Sequence, residues 1–261
     1  MAERQRKERD QPIVLPPYGV EPRGFHEKNA FADQANLIGR DAKVIFDVGA
    51  HIGETAEQYL RLFPDATVHC FEPFPDSFAQ LVKKSARNDR VRCHCNAVSH
   101  RSGSSTLYTF VNSATNSLLP AAKDVDRLVE AGQMEPTGVT NANCVTIDEF
   151  CKQEQIDRID ILKLDVQGGE LDALKGAEGM LARSSVVLIY TEVVFVPVYE
   201  RQAWFFDVAM FLYRHGYALF DFYNFAYGGG WQLKWGDAVF LPKGHWALHD
   251  RSDHRGFPGP P

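Results

Sequence analysis

The chain has 261 residues, 44% of them hydrophobic, and a formal net charge of −6 at pH 7. This is enough for one large α/β domain, but it gives no general basic field for nucleic acid. Because the cysteine count of five is odd for a disulfide framework and no apolar stretch would span a bilayer, we expect a cytoplasmic protein with neither a nucleic-acid nor a membrane partner.

In chain order, the first element is a charged, proline-rich arm over residues 1–25. A single domain is expected over residues 26–245, and a flexible Gly/Pro-rich tail over 246–261. The domain begins with a helix from about Phe25 to Ile38, which Gly39 ends.

Short apolar runs and helical segments then alternate along the chain. The predicted strands are Val44–Val48, Thr67–Phe71, Val91–Val98, Ser104–Val111, Ile159–Leu164, Val186–Val194, Ala218–Tyr223 and Ala238–Leu241. The predicted helices between them are Glu54–Leu62, Phe78–Lys84, Ile147–Cys151, Glu170–Met180 and Trp204–His215. This pattern indicates an α/β fold with a doubly wound, mostly parallel sheet that has helices on both faces. The last two strands lack an intervening helix, which predicts a C-terminal antiparallel hairpin.

The stretch VIFDVGAHIGETA, residues 44–56, is typical of a strand, a glycine turn and the start of a helix. In open α/β sheets, ligands bind outside the carboxyl ends of the strands. Gly49 permits a tight turn there, and Gly53 permits a close approach of the helix to the strand. Glu72 ends the next strand, where its carboxylate can accept hydrogen bonds from both hydroxyls of a ribose.

NAD and S-adenosylmethionine both contain such a ribose, and the glycine turn distinguishes between them. A dinucleotide needs G-x-G-x-x-G so that its pyrophosphate can lie on the helix N-terminus, whereas this chain has G-A-H-I-G, with His51 in place of the second glycine. Asp47 suits the ordering of a glycine loop or contact with an ammonium, and S-adenosylmethionine has an ammonium but no phosphate. The turn therefore favours S-adenosylmethionine. An NAD-dependent oxidoreductase and a non-catalytic binding protein on the same scaffold stay open as alternatives.

Two more acidic residues follow predicted strands. Asp165 follows Leu164 in the stretch IDILKLDVQGGELDALKGAEGML, and Glu192 lies near the end of VVLIYTEVVF. Because their strands should be neighbours, we expect the two carboxylates to flank the reactive end of the cofactor. Such a pair can act as a base, orient an acceptor or bind a hard cation. Glu170 also has a simpler explanation, since acidic side chains stabilise helix N-termini.

The stretches FDVGAHIGET, FEPFP, NAVS, TIDEFC and DILKLDVQGGELDALKGAEGML together resemble the FkbM-type methyltransferases. The resemblance runs from about Ala42 to Val194 and implies a Rossmann-like class I methyltransferase domain with a seven-stranded sheet. It implies S-adenosylmethionine-dependent O-methylation of a sugar, polyketide or other small metabolite. It implies that Asp47, Gly49, Ala50 and Gly53 form the cofactor loop, that Glu72 binds the ribose and that Asn96 and Ala97 lie beside the adenine. We expect Pro73, next to Glu72, and Asp165, at its strand end, to contact the cofactor as well. The family commonly has Asn where this chain has His51.

The expected reaction is displacement at the sulfonium methyl group by a hydroxyl oxygen, for which alignment of the two atoms supplies about 7–11 kcal/mol. Asp165 or Glu192 is expected to take the hydroxyl proton, and His51 is a further candidate base. No metal ligand is predicted. A divalent metal is the less favoured alternative, because a hard cation usually wants more oxygen ligands than two carboxylates provide. The chain is also compatible with a homodimer.

Two segments are candidates for a wall or lid over the site. Residues 112–138 form a long insertion with Pro and Gly, and long loops in compact domains are often functional. Tyr223, Phe225, Tyr227 and Trp231 flank the glycines 228–230. Aromatic faces around a flexible loop suit a pocket wall, although a simple hairpin turn explains them equally well.

Overall fold

The computed structural model describes residues 29–245, so the predicted N-terminal arm (1–25), the start of the first predicted helix and the predicted tail (246–261) lie outside the described residues. The strands in the described range are β1 Val44–Val48, β2 Thr67–Phe71, β3 Val91–His94, β4 Ala97–Val98, β5 Gly103–Phe110, β6 Pro136–Val145, β7 Ile159–Leu164, β8 Val186–Val194, β9 Tyr217–Tyr227 and β10 Leu233–Pro242. Seven of them form the main sheet, in the order β3-β2-β1-β7-β8-β10-β9.

The main sheet has the predicted doubly wound arrangement. Its strand pairs are parallel from β3 through to β8, whereas β10 runs antiparallel to both β8 and β9. The predicted C-terminal antiparallel hairpin is therefore confirmed. The chain leaves β1 towards β2 and β3 on one side and continues from β7 to β8 on the other, so the order reverses between β1 and β7. A crevice for ligands is expected at that reversal.

Helices cover both faces of the main sheet, as predicted. Those described are α1 Ala30–Ile38, α2 Glu54–Leu62, α3 Pro75–Ser85, α4 Ile147–Glu154, α5 Glu170–Lys175, α6 Glu178–Ala182 and α7 Phe205–Arg214. Apolar side chains of α1, α2 and α3 pack on one face, and those of α4 to α7 pack on the other. The side chain of Asn29 accepts the first N–H groups of α1, and Gly39 ends this helix with a φ of +74°.

The prediction of a single strand from Val91 to Val98 is wrong. β3 ends at His94, and β4 joins a separate three-stranded sheet in the order β4-β6-β5. The strand predicted at Ser104–Val111 is β5 of this second sheet and pairs antiparallel with β6. β6 was not predicted, because its sequence PTGVTNANCV is mostly polar and exposed and has no apolar run.

The helix predicted over Glu170–Met180 is divided into α5 and α6, with Gly176 between them. A Cβ at Gly176 would lie 2.2 Å from the carbonyl oxygen of Ser99. The glycine therefore allows the backbone that follows β4 to lie directly against the end of α5. This contact joins the second sheet to α5 and α6, which pack on one face of the main sheet.

Gly49, at the end of β1, allows a test of the close approach between the ends of β1 and β7. Its φ is +77°, and a Cβ there would lie 1.8 Å from the carbonyl oxygen of Asp165. Gly39 has a similar φ of +74°, but an added Cβ would meet nothing within 4 Å. Gly39→Ala should therefore cost about 1–2 kcal/mol of backbone strain. Gly49→Ala should cost a further ~1–3 kcal/mol or more, because it adds a steric clash. Urea unfolding of both variants measures the difference, and equal losses of stability would contradict the close approach of the two strand ends.

Candidate active site

A cavity of about 540 Å³ opens where the carboxyl ends of β1, β2 and β7 meet. The predicted site residues on its wall are Gly49, Ala50, His51, Glu72, Pro73, Asn96, Ala97 and Asp165. Asp47, Gly53 and Glu192 are not on this wall. The structure gives each of these three a different place, so their roles have to be considered one by one.

Asp47 lies beneath the cavity and forms an ion pair with Lys163, whose ammonium is 3.0 Å from Asp47 Oδ1. Both side chains are buried, and Lys163 Nζ also donates a hydrogen bond of 2.9 Å to the carbonyl oxygen of Gly49. Burial alone would lower the pKa of Lys163, but the carboxylates of Asp47 and Asp165 outweigh it and raise the pKa. The ammonium that Asp47 contacts thus belongs to the protein, and contact of Asp47 with the ammonium of a cofactor stays a prediction.

Backbone N–H groups of the glycine loop, residues 49–53, find hydrogen-bond acceptors within the protein. The N–H groups of Gly49 and Ala50 both donate to the carbonyl oxygen of Phe71, and Gly53 N–H donates to the carbonyl oxygen of Ala50. Gly53 precedes α2 with a φ of +85°, and a Cβ there would lie 2.8 Å from the side chain of Leu81. Gly53 therefore allows α2 to pack closely, and it does not line the cavity.

Glu72 is buried in the cavity wall, and two backbone groups fix its carboxylate. Oε2 accepts a hydrogen bond of 2.9 Å from His51 N–H, and Oε1 accepts one of 2.9 Å from Phe74 N–H. Burial raises the pKa of Glu72, and these two hydrogen bonds oppose the shift. Each carboxylate oxygen keeps further acceptor capacity, which suits a pair of neighbouring hydroxyl groups.

His51 has a φ of +48°, a left-handed conformation in which Asn, Asp and His are enriched. A histidine at this position is therefore compatible with the backbone of the turn. The His51 Nε2 atom lies 2.8 Å from Ser113 Oγ, so the ring connects the glycine loop to the insertion at residues 112–138. Burial lowers the pKa of His51, which favours the neutral imidazole at neutral pH.

The structure brings Asp165 and Glu192 together. Leu164 on β7 pairs with Thr191 on β8, so the next residue of each strand lies at the same edge of the sheet. Gln167 bridges the two carboxylates, since its Nε2 donates hydrogen bonds of 2.7 Å to Asp165 Oδ1 and 3.3 Å to Glu192 Oε2. The two acceptor oxygens therefore lie no further apart than the sum of these distances.

Gln167 and Lys163 are the site residues that the sequence analysis overlooked. The Oε1 atom of Gln167 accepts a hydrogen bond of 2.8 Å from the buried Tyr199 hydroxyl, and Gln167 itself has a φ of +57°. For Lys163 the available signal was a lysine inside a largely apolar strand, two residues before Asp165. For Gln167 the signal was a polar residue before two glycines, which is too common in turns to indicate a site.

The two carboxyl groups of the pair have different surroundings. Burial raises the pKa of Glu192 well above its usual range, and the charges of Asp165 and Glu170 raise it further. Both effects disfavour the charged form of the Glu192 carboxyl group. The Asp165 side chain, in contrast, is 43% exposed, and its Oδ2 atom lies 3.8 Å from Lys163 Nζ. One carboxyl group of the pair is thus enclosed by protein, and the other is partly exposed and faces an ammonium.

A second cavity, of about 250 Å³, adjoins the first and shares Ala114, Asp165 and Gln167 with it. Glu192 lies on the wall of this second cavity. The insertion contributes part of the wall through Val129 and Met134, so the structure supports the insertion as the cover of the site. Phe225, Tyr227 and Trp231 are exposed and line neither cavity. The alternative wall of aromatic residues around the triple glycine is therefore wrong.

Two further observations concern the described range only. Between residues 29 and 245, no helix has both the length and the apolar character needed to cross a membrane. Over the same residues, no three His, Cys, Asp or Glu side chains are grouped so that they could hold a metal ion.

Residues 47–219 match the Methyltransferase FkbM domain, so the chain belongs to the FkbM methyltransferase family and is a methyltransferase with a class I, Rossmann-like fold. It is 27% identical to the 2-O-methyltransferase NoeI of Sinorhizobium fredii, over 64% of this chain and 70% of that protein. It is 32% identical to the 31-O-demethyl-FK506 methyltransferase FkbM of Streptomyces tacrolimicus, over 53% and 61%. It is 26% identical to the hexuronic acid methyltransferase AglP of Haloferax volcanii, over 56% and 54%. The chain thus spans less than two thirds of the last two relatives.

Glu170 connects the site to the pH dependence of stability. Its carboxylate is buried and accepts hydrogen bonds from Val166 N–H and Gly168 N–H, which fixes the turn after β7. Burial, only partly opposed by these hydrogen bonds, raises the pKa of Glu170 from its usual 4.5 to about 7. Between these two values the folded protein holds a proton that the unfolded chain has lost, so stability should fall as the pH rises through this window.

Glu170→Gln removes this titration and keeps an oxygen that can accept both N–H groups. Between about pH 5 and pH 8, the wild type should lose up to ~3 kcal/mol of unfolding free energy relative to Glu170→Gln. Urea unfolding at a series of pH values measures this difference. Parallel curves for the two proteins would show that Glu170 does not titrate in the way that its burial requires.

Proposed function

We propose that the protein transfers a methyl group from S-adenosylmethionine to a hydroxyl group of a small metabolite. The observation that carries the proposal is the carboxylate of Glu72, which two backbone N–H groups hold in the wall of the larger cavity. A fixed carboxylate with spare acceptor capacity is suited to the two hydroxyls of a ribose. Phe71, Val98 and Leu107 add apolar surface to the same cavity, which suits a purine ring.

The glycine loop argues against the nicotinamide alternative. Gly49, Ala50, His51 and Gly53 all donate their N–H groups to acceptors within the protein. A pyrophosphate would need free backbone donors at this turn, since such groups make the helix N-terminus an anion site. The donor set therefore fits S-adenosylmethionine better than a dinucleotide.

The names of the relatives favour oxygen as the atom that accepts the methyl group. One is named a 2-O-methyltransferase and another a 31-O-demethyl-FK506 methyltransferase. The third is named for hexuronic acid, whose ring carries several hydroxyl groups. At one end of the second cavity, two carboxyl groups and the amide of Gln167 provide polar groups that can orient a hydroxyl group and take its proton.

Bound S-adenosylmethionine supplies a methyl group on a positively charged sulfur, which is already a strong electrophile. The protein therefore has two tasks, which are to orient the acceptor and to take its proton. Asp165 takes the hydroxyl proton, because its carboxyl group is partly exposed and lies on the walls of both cavities. Glu192 orients the acceptor, while the amide of Gln167 holds both carboxyl groups in place. His51 lies on the wall of the larger cavity, apart from this pair, as a second candidate base.

Small molecules that carry a hydroxyl group are the partners that this proposal requires. The cytoplasmic location and the homodimer stay predictions. So does the metal-free reaction, for which the expectation is that turnover survives EDTA. Loss of turnover in EDTA with recovery in Mg²⁺ would favour the metal-dependent alternative.

Glu72 and Asp165 should separate cofactor binding from turnover. Glu72→Ala should weaken the binding of S-adenosylhomocysteine by about 2–4 kcal/mol, because it removes two charge-assisted hydrogen bonds. Asp165→Asn should keep that affinity nearly intact but lower kcat by about 100-fold or more, because the amide cannot take a proton. Titration calorimetry measures the first effect, and the release of S-adenosylhomocysteine with an acceptor that is active in the wild type measures the second.

Asp76→Ala is the matched control, since Asp76 lies in the first turn of α3 and lines neither cavity. It should change neither the affinity nor kcat. Unchanged affinity in a folded Glu72→Ala variant would remove the ribose assignment. A normal kcat in Asp165→Asn would transfer the role of base to another residue.

A further inference from the structure

The second cavity has an uneven distribution of polarity. Its broad wall is apolar, with Val129 and Met134 from the insertion, Val194 from β8, Val198 from the segment after β8 and Trp235 from β10. Most of these side chains belong to one hydrophobic cluster, in which Met134, Val194 and Val198 are almost fully buried. A ligand body that fills this space exchanges water for apolar contacts.

The polar groups of the cavity are concentrated at the end that it shares with the larger cavity. Asp165 and Gln167 line both cavities, and Glu192 lies beside them on the second. The residues that line the second cavity in the described range include two carboxyl groups and no lysine or arginine. An anionic ligand would therefore be buried beside acidic groups without a cation to pair with it, which is strongly unfavourable.

Hydrogen bonds fix the position of the insertion where it covers the second cavity. Lys234, next to Trp235 on β10, donates through Nζ to the carbonyl oxygen of Leu128, next to Val129, at 2.8 Å. The hydroxyl of Tyr199 lies 2.8 Å from the carbonyl oxygen of Thr115. These contacts tie the insertion to β10 and to the segment after β8, so the apolar cavity is preformed and its selectivity needs no large rearrangement.

We infer that this cavity holds the body of the methyl acceptor and that the acceptor is a neutral, largely apolar alcohol. Its hydroxyl group lies at the end formed by Asp165, Gln167 and Glu192, and its carbon skeleton lies against Val129 and Met134. The inference rests on the proposed methyl transfer and narrows its substrate class. It excludes uronic acids and other anionic sugars, although a relative of this chain is named for hexuronic acid.

Three probes that share a six-membered ring test the inference in the presence of saturating S-adenosylhomocysteine. They are 4-tert-butylcyclohexanol, methyl glucoside and methyl glucuronide, which are apolar, polar and anionic. Saturation-transfer NMR titrations should show binding of the cyclohexanol with an affinity about tenfold or more above that of either sugar derivative. Tighter binding of the glucoside or the glucuronide would overturn the inference. So would the absence of binding by all three, since a preformed apolar cavity of this size should hold the alcohol.

Val129→Lys places a charge in the apolar wall and should weaken the binding of the cyclohexanol by about tenfold or more. The matched control is Val139→Lys, because Val139 lies on β6, is 64% exposed and lines neither cavity. It should leave the affinity for the cyclohexanol unchanged. Equal affinities in the two variants would place the alcohol somewhere else and overturn the inference.

The affinity for S-adenosylhomocysteine, measured by calorimetry on the same proteins, distinguishes failure of the proposed function from failure of the inference alone. Both lysine variants should bind S-adenosylhomocysteine like the wild type, which also shows that they are folded. Failure of the wild type to bind it would refute the proposed function and, with it, the inference. Normal cofactor binding together with a preference for a sugar probe would refute the inference alone.

Discussion

The buried ammonium of Lys163 is the interaction on which the arrangement of the site depends. It lies between the Asp47 carboxylate and the carbonyl oxygen of Gly49, and it also faces Asp165. A buried charge without its partner is strongly destabilising, so the ends of β1 and β7 are held together at this point. At the same place, Gly49 lies directly against the Asp165 backbone. The glycine loop and the acidic pair are therefore parts of one rigid edge of the sheet.

Gln167 connects this edge of the sheet to the second cavity. Its amide joins Asp165 to Glu192 and accepts from Tyr199, which in turn contacts the insertion. Because Asp165 and Gln167 line both cavities, the region between them is where a methyl donor and an acceptor would meet. Alignment of two reacting atoms needs such a fixed junction, since small displacements weaken catalysis considerably.

The sequence was sufficient for the parts of the fold and site that depend on local patterns. Apolar runs predicted β1, β2, β7 and β8, and the rule that ligands bind at strand ends placed Glu72 and Asp165 correctly on the wall of the cavity. The polar strand β6 and its sheet were missed, because only pairing with a distant strand makes them regular. Lys163 and Gln167 were missed for a related reason, since their roles come from neighbours that the chain brings together only on folding.

A crystal structure with S-adenosylhomocysteine bound tests the central claim most directly. The account predicts that the two ribose hydroxyls lie within hydrogen-bonding distance of the Glu72 carboxylate oxygens. It also predicts that the sulfur faces the opening between the two cavities, beside Asp165 and Gln167. A ligand with its ribose away from Glu72, or with its sulfur directed away from Asp165, would contradict the account.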